Sequence, residues 1–223
     1  MLYNIYINKK EEKNNMFICE SYVDYKGYLG KLTKYLVVPE SYIAGGCFKN
    51  IFNKEKFKDL DIFFETEDAY KRAKEYYKTL IKVKSDRWKF VYENENCWSV
   101  LDKYNNVRLE LVSRYFGKPE EMIARFDFSI VKFALYLDNY VNEYYVVYDS
   151  NFFKHLHLRR LVVDMNIPLE FPTGTYNRMI KYLKYGYEPC LMTKKKLLFE
   201  LSKLDFNSVE DITTGNDMYA GFD

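Results

Sequence analysis

Apolar positions along this chain recur with two different periods, which predicts a protein that mixes strands and helices. Residues 42–44 and 60–64 form short apolar runs typical of buried strands. Residues 67–82 place their apolar side chains at helical spacing, and Thr66 before them suits an N-cap. Residues 107–112 predict a further strand. These segments together indicate an α+β fold, a mixed sheet with helices packed on one face.

The other segments predict the rest of this architecture. They are a short strand at 2–7, one or two glycine-interrupted helices within 16–36, a hairpin of strands 88–92 and 97–100, a short helix at 120–125, a strand at 142–148, and helices at 176–185 and 193–204. We therefore divide the chain into a head, residues 1–150, and a mainly helical neck and C-terminal region, residues 151–223.

A turn of two glycines directly follows the first buried strand. Gly45 and Gly46 lack Cβ atoms, which allows a sharp turn and a close approach of backbone N–H groups to a ligand. Asp59 and Asp61 open the next strand two residues apart, so both side chains point to one face. Because adjacent carboxylates repel each other, a divalent cation such as Mg²⁺ is the simplest way to make this pair favourable. The stretch predicts a phosphate-binding turn beside a metal-binding acidic pair.

Three short motifs together resemble the signature of the polymerase-beta-like nucleotidyltransferase superfamily: Gly45-Gly46, Asp59-Leu60-Asp61 and Leu109-Glu110-Leu111. A fourth segment, residues 125–130, resembles the Arg-Arg-Asp-Phe-Thr-Ile motif of CCA-adding enzymes and bacterial poly(A) polymerases, with Phe126 in place of the second arginine. The resemblance covers roughly residues 40–190. It implies a nucleotidyltransferase head followed by a small helical region.

The resemblance also implies roles for the three acids. Asp59 and Asp61 would hold two Mg²⁺ ions, with Mn²⁺ as a substitute, and Glu110 would bind one metal and help to activate an acceptor hydroxyl. Glu110 has a second interpretation, as a solvent-facing residue on an edge strand that pairs with Arg108. For Asp59 and Asp61 the alternative is a pair of surface acids before an apolar strand.

The remaining candidates are nucleotide-binding residues. Besides the glycines they are Lys49, Arg125, Asp127, Arg178 and Lys181. In the resembled enzymes the region of Arg125 and Asp127 lines the nucleotide pocket, and Arg178 and Lys181 occupy the neck helix that follows the head. An alternative interpretation of Asp127 is that it is a turn residue. The alternative for Arg178 and Lys181 is that they form a solvated face of their helix.

The composition is that of a globular protein and indicates no further functional site. Apolar residues make up 48% and charged residues 30%, ordinary for a globular domain, and the net charge of +2 does not by itself establish nucleic-acid binding. The 4 cysteines have no metal-type spacing, and only 2 histidines exclude a histidine-rich metal site. No apolar stretch approaches the length of a membrane span, so we expect a cytoplasmic protein with no membrane contact.

The sequence thus predicts a Mg²⁺-dependent enzyme that binds an NTP such as ATP. It would transfer the NMP to an acceptor hydroxyl, with an RNA 3′ end favoured, and release pyrophosphate. Two alternatives stay open: NMP transfer to a protein or small molecule, as in a toxin or resistance enzyme, and a nucleotide-binding protein that inhibits a partner without turnover. The compact chain would suit a phage, and no pattern indicates its oligomeric state.

Overall fold

The computed structural model describes residues 16–138 and 140–204. The strand predicted at residues 2–7 lies outside this part of the chain. Of the predicted elements inside it, the strand before the glycines, the Asp-bearing strand and the long helix are confirmed.

The strands are, in chain order, β1 (Phe17–Ser21), β2 (Ser41–Ala44), β3 (Asp59–Phe64), β4 (Trp88–Glu93), β5 (Cys97–Asp102), β6 (Val107–Phe116), β7 (Phe133–Asp138), β8 (Glu143–Asp149), β9 (Arg160–Leu161) and β10 (Glu188–Pro189). Within the described residues, the first eight form one sheet in the order β1-β8-β7-β2-β3-β6-β5-β4. Its strands pair antiparallel except for β3 and β6, which run parallel. The two short strands β9 and β10 form a separate parallel pair.

The helices are α1 (Lys26–Leu29), α2 (Cys47–Phe52), α3 (Glu67–Val83), α4 (Pro119–Arg125), α5 (Phe152–His157), α6 (Pro172–Lys184) and α7 (Leu191–Leu201). The mixed α+β fold expected from the sequence is confirmed, and the C-terminal region is helical as predicted. Among the described helices, none combines the length and the hydropathy that crossing a bilayer requires.

Alternation along β3 divides its side chains between the two faces of the sheet. Leu60 and Phe64 are fully buried, and the ring of Phe64 meets Tyr70 of α3 edge-on at 5.6 Å. Asp59 and Asp61 point to the other face, because successive side chains of a strand alternate. The helix therefore covers the apolar face of β3 and leaves the acidic face for a site.

The helix that covers this sheet begins where the sequence predicts. Thr66 Oγ1 accepts a hydrogen bond from the Ala69 backbone N–H at 3.2 Å, which satisfies one of the free donors of the first turn. Ala69 and Ala73 are buried, and their small side chains let α3 approach the strands closely. Tyr77, one turn later, donates to the backbone carbonyl of Tyr35 at 3.1 Å and fixes the segment before β2.

The prediction of one or two helices within residues 16–36 is partly wrong. This segment starts with β1, which pairs antiparallel with β8 at the edge of the sheet. The helical part that follows is a 4-residue 3-10 turn and the 4-residue α1, which ends at Gly30. Glycine weakens a helix interior, so the two glycines shorten the helical part. The start of the segment forms a strand instead of a helix, because β8 offers it backbone hydrogen-bond partners.

In the C-terminal region, a buried lysine ties α7 to the loop before α6. The Lys196 ammonium group donates to the backbone carbonyls of Asp164 and Met165, each at 3.0 Å, and to that of Ile167. Lys196 is buried, so these carbonyls replace its hydration shell. The loop that leads into α6 is thereby held against α7.

Candidate active site

A cavity of about 400 Å³ opens on the acidic face of β3. β2 and β3 are antiparallel with Ala44 opposite Asp61, so the glycine turn that ends β2 lies beside the acids that begin β3. Most of the candidate residues line this one cavity: Gly45, Gly46, Lys49, Asp59, Asp61, Asp127, Arg178 and Lys181. Tyr182 of α6, which the sequence did not indicate, and Tyr185 after it line the cavity as well.

The two glycines of the turn have different conformations. Gly45 has a φ of +104°, and a Cβ added there would lie 3.4 Å from Asp61 Oδ2. Gly46 has a φ of −66°, which any residue can adopt, and an added Cβ would meet only ordinary contacts. The turn thus requires glycine at the first position because of its positive φ, and not at the second.

This difference gives a testable prediction. We expect Gly45→Ala to lower the free energy of unfolding by roughly 1 to 2 kcal/mol, because alanine at a positive φ is strained. Gly46→Ala is the matched control and should leave stability unchanged, since its backbone suits alanine. Urea unfolding of both variants measures the difference. Equal stability of the two variants would contradict the conformation described for Gly45.

Lys49 extends from α2 into a wall of tyrosines. Its Nζ lies 5.6 Å from the ring centroids of Tyr182, Tyr185 and Tyr187. It also pairs with Glu55 at 3.7 Å. Burial lowers the pKa of Lys49, and the Glu55 carboxylate opposes that effect. A buried lysine lining a cavity is a cation whose hydration is already lost, which favours pairing with an anionic ligand.

Asp127 and Arg178 form a buried ion pair that also lines the cavity. Arg178 Nε lies 2.7 Å from Asp127 Oδ2, and the other carboxylate oxygen accepts the Phe128 backbone N–H at 2.7 Å. Asp127 therefore acts as a turn residue, which was one of its two interpretations from the sequence, and it also pairs with Arg178 of α6. Lys181 lies three residues after Arg178, so both side chains project from the same side of the helix.

Arg125 is the predicted nucleotide-binding residue that the structure does not bring to this cavity. Its Nη2 pairs with Glu170 Oε1 at 2.8 Å, and its guanidinium carbon lies 4.0 Å from the Tyr115 ring centroid. It is absent from the residues that line the cavity. In this position Arg125 links α4 to the loop before α6.

Glu110 lies beside the aspartates but deeper in the protein. The parallel register sets Asp61 opposite Glu110 and Asp59 opposite Arg108 on neighbouring strands. Glu110 is 0% exposed and does not line the cavity. Its Oε1 accepts a hydrogen bond from the Tyr92 hydroxyl at 2.7 Å. The interpretation of Glu110 as a solvent-facing residue of an edge strand is wrong, since β6 is an interior strand of the sheet.

Arg108 joins this acidic group as its counter-cation. Its Nε lies 2.8 Å from Asp59 Oδ1 and 2.9 Å from Glu110 Oε1. The proposed pairing of Glu110 with Arg108 is therefore present, with Asp59 as the second partner. Burial raises the pKa of Asp59, although the Arg108 guanidinium acts in the opposite direction. Burial together with the Glu110 charge also raises the pKa of the neighbouring Cys97 to about 11.

The donor atoms at this site fit a divalent cation in part. Asp59 and Asp61 offer hard carboxylate oxygens at a cavity wide enough for water and phosphate, which is the ligand set that Mg²⁺ prefers. In the described part of the chain, no group of three or more His, Cys, Asp or Glu side chains is arranged to hold a metal ion. The fit therefore extends to the two aspartates, and Glu110 is engaged by Tyr92 and Arg108 instead.

Solved structures with a similar fold include CCA-adding enzymes. One is the Thermotoga maritima enzyme complexed with tRNA, with a TM-score of 0.62, 15% identity, and coverage of 83% of this chain and 46% of that chain. Another is a CCA-adding enzyme in complex with ATP, with a TM-score of 0.63, 15% identity, and coverage of 83% and 47%. At this identity the likeness shows a shared fold with the heads of these transferases.

A relative by sequence comes from a bacteriophage. The protein named Gabija anti-defense 2 of Bacillus phage SPbetaL7 is 23% identical over 204 residues, which are 90% of this chain and 45% of the relative. This chain thus spans about half the length of the proteins it matches. The model of the Gabija anti-defense 2 family matches residues 9–159, more than half of the sequence. On that match, the chain belongs to the Gabija anti-defense 2 family.

Proposed function

We propose that this protein is a Mg²⁺-dependent nucleotidyltransferase that moves an NMP from an NTP to an acceptor hydroxyl and releases pyrophosphate. The observation that carries the proposal is the convergence, in one cavity, of the glycine turn, the Asp59 and Asp61 carboxylates and cationic side chains from separate parts of the chain. A triphosphate needs cations and close backbone approach, and a metal needs the acids.

Each wall of the cavity has a part in this reaction. The turn at Gly45 leaves room for phosphates beside Asp61, and Lys49 and Lys181 supply positive charge to the triphosphate. Asp59 and Asp61 would hold Mg²⁺, which neutralises the charge that develops on the phosphoryl oxygens during displacement. The rate enhancement would then come from positioning and charge neutralisation rather than from a covalent enzyme intermediate.

RNA is the acceptor that we favour. Lys56 and Lys58 add positive charge to the same cavity, which suits a phosphate backbone leading to a 3′ hydroxyl. A neighbour of the same fold was solved with tRNA, which supports this choice for a related head. A hydroxyl of a protein or a small molecule is the alternative acceptor, since the fold does not fix the substrate.

The family name adds a biological setting to this chemistry. A phage protein of this family carries a name that denotes action against a defence system, so we propose that this protein acts inside a bacterial cell during infection. A second candidate function is inhibition of a host protein by binding alone. It is favoured by one observation, namely that Arg108 already neutralises part of the acidic site.

One labelling experiment separates these functions. The protein is incubated with Mg²⁺, each α-³²P-labelled NTP in turn, and either total RNA or total protein of a bacterial host. We expect label in the RNA fraction together with release of pyrophosphate. Label in the protein fraction would mean that the acceptor is a protein and not RNA. NTP binding by calorimetry with no label in any fraction and no pyrophosphate would reject catalysis and favour inhibition by binding.

A further inference from the structure

Behind the cavity wall formed by Asp59, the protein places a cation of its own where two of the acids meet. Arg108 Nε lies within 3 Å of oxygens from two carboxylates, one at the cavity wall and one fully buried. Its guanidinium carbon also lies 5.8 Å from the ring centroid of Tyr92, which closes the site from the direction of β4. One guanidinium group thus connects the cavity to the interior of the sheet.

The strand register makes this arrangement obligatory rather than incidental. Asp59, Asp61, Arg108 and Glu110 share one face of two adjacent parallel strands, and the guanidinium contacts two of the three carboxylates on that face. The guanidinium places positive charge between Asp59 and the buried Glu110, whose like charges repel each other. Tyr92 adds a neutral hydrogen bond to Glu110. Arg108 therefore holds Asp59 and Glu110 in a fixed position relative to each other.

We propose that Arg108 is a positioning residue that competes with a divalent cation for the Asp59 carboxylate, and that a cation must displace it from Asp59 in order to bind. This inference rests on the proposed function, since it takes Asp59 and Asp61 as the metal ligands. Arg108 keeps its ion pair with Glu110 when it releases Asp59. Glu110 then acts through Arg108 and is not itself a metal ligand, which differs from the role implied by the superfamily resemblance.

The affinity for a free divalent cation follows from this competition. An arginine beside a carboxylate holds the anionic form as a cation does, so a second cation gains less when it arrives. A triphosphate brings negative charge of its own to the cavity and offsets the positive charge of Arg108. Metal should therefore bind weakly alone and more tightly together with an NTP.

The test measures Mn²⁺ binding by calorimetry without nucleotide, on the full chain. We expect Arg108→Gln to bind Mn²⁺ at least about tenfold more tightly than the wild type, because the competing charge is gone. Arg108→Lys, which keeps the charge but loses the planar fork, should fall between the two and covers the case that the glutamine variant does not fold. Arg114→Gln is the matched control on the same strand, since Arg114 contacts Asn96 and not the acids, and should equal the wild type.

Two outcomes would overturn the proposal. One is a Mn²⁺ affinity that is unchanged or lower in both Arg108 variants, and the other is a gain in Arg108→Gln that survives the added change Asp59→Asn. Neither readout depends on turnover. A gain in Mn²⁺ binding without any labelled product would therefore reject the proposed transfer reaction and leave the role of Arg108 intact.

Discussion

Replacing Asp61 with asparagine is expected to lower the rate of nucleotide transfer by about three orders of magnitude, because a metal ligand contributes several kcal/mol to the transition state. Asp61 lies in the middle of the site: Ala44 and Glu110 are its neighbours across the sheet, and the Gly45 turn passes beside its Oδ2. We expect the fold to be retained, since the change removes one of several like charges. The initial rate of pyrophosphate release, measured with the NTP that labels best, tests this.

The control for this variant is Asp68→Asn, the same substitution at an exposed position of α3 where the carboxylate pairs with Arg72. It should transfer nucleotide at the wild-type rate. Circular dichroism of both variants establishes that they are folded. If Asp61→Asn retained more than about a tenth of the wild-type rate, a metal-binding role of Asp61 would be excluded.

The parts of the site that the sequence predicts are those in which neighbours in the chain are also neighbours in space. The alternation in β3 places Asp59 and Asp61 on one face, and the glycines follow β2 directly, so a single hairpin-like pairing brings both motifs together. The N-cap of α3 is likewise a local feature. Local rules decide these elements, and a single sequence therefore predicts them.

Long-range pairs account for what the sequence does not reveal. Arg125 leaves the cavity because Glu170, which lies 45 residues away in the chain, binds its guanidinium. Nothing in the motif around Arg125 indicates that partner. The spacing of Arg108 and Glu110 did indicate that they share a face, but the inclusion of Asp59 depends on the parallel register of β3 and β6. Which strand β3 pairs with is a tertiary property, and local patterns along one sequence do not reveal it.

Local sequence patterns and long-range pairing together determine the arrangement of charge in the cavity. Locally encoded acids form the floor, and cations delivered by α2 and α6 form the walls. A nucleotide triphosphate with a divalent cation has the complementary distribution, with negative oxygens between the wall cations and positive charge at the floor. Arg108 lies behind this floor and pairs with Asp59 and Glu110, so the protein itself balances part of the acidic charge.

A second large effect is expected for Asp102, the buried last residue of β5. Its Oδ2 accepts hydrogen bonds from Tyr35 Oη at 3.1 Å, Arg87 Nη2 at 2.9 Å and Asn105 Nδ2 at 2.6 Å. Its Oδ1 accepts Arg87 Nε at 3.2 Å and the Tyr104 backbone N–H at 3.1 Å. We expect Asp102→Asn to lower the free energy of unfolding by about 2 to 3 kcal/mol, because the amide turns a donor toward donors and the ion pair with Arg87 is lost.

The pH dependence of stability gives an independent check on Asp102. Burial alone would raise its pKa, but hydrogen bonds from Arg87 and Asn105 outweigh that effect and lower the pKa to about 2. Because the folded-state pKa lies below the unfolded value of about 3.9, the stabilisation is complete above about pH 4 and is lost as the pH falls toward 2. Urea unfolding of the wild type and Asp102→Asn should thus give a difference in the free energy of unfolding that is constant from pH 7 to 5 and shrinks below pH 4.

The control is Asp68→Asn, which removes an exposed charge and should lower the free energy of unfolding by no more than about 0.5 kcal/mol at pH 7. A difference between the wild type and Asp102→Asn that grew on acidification would mean that Asp102 is protonated in the folded protein.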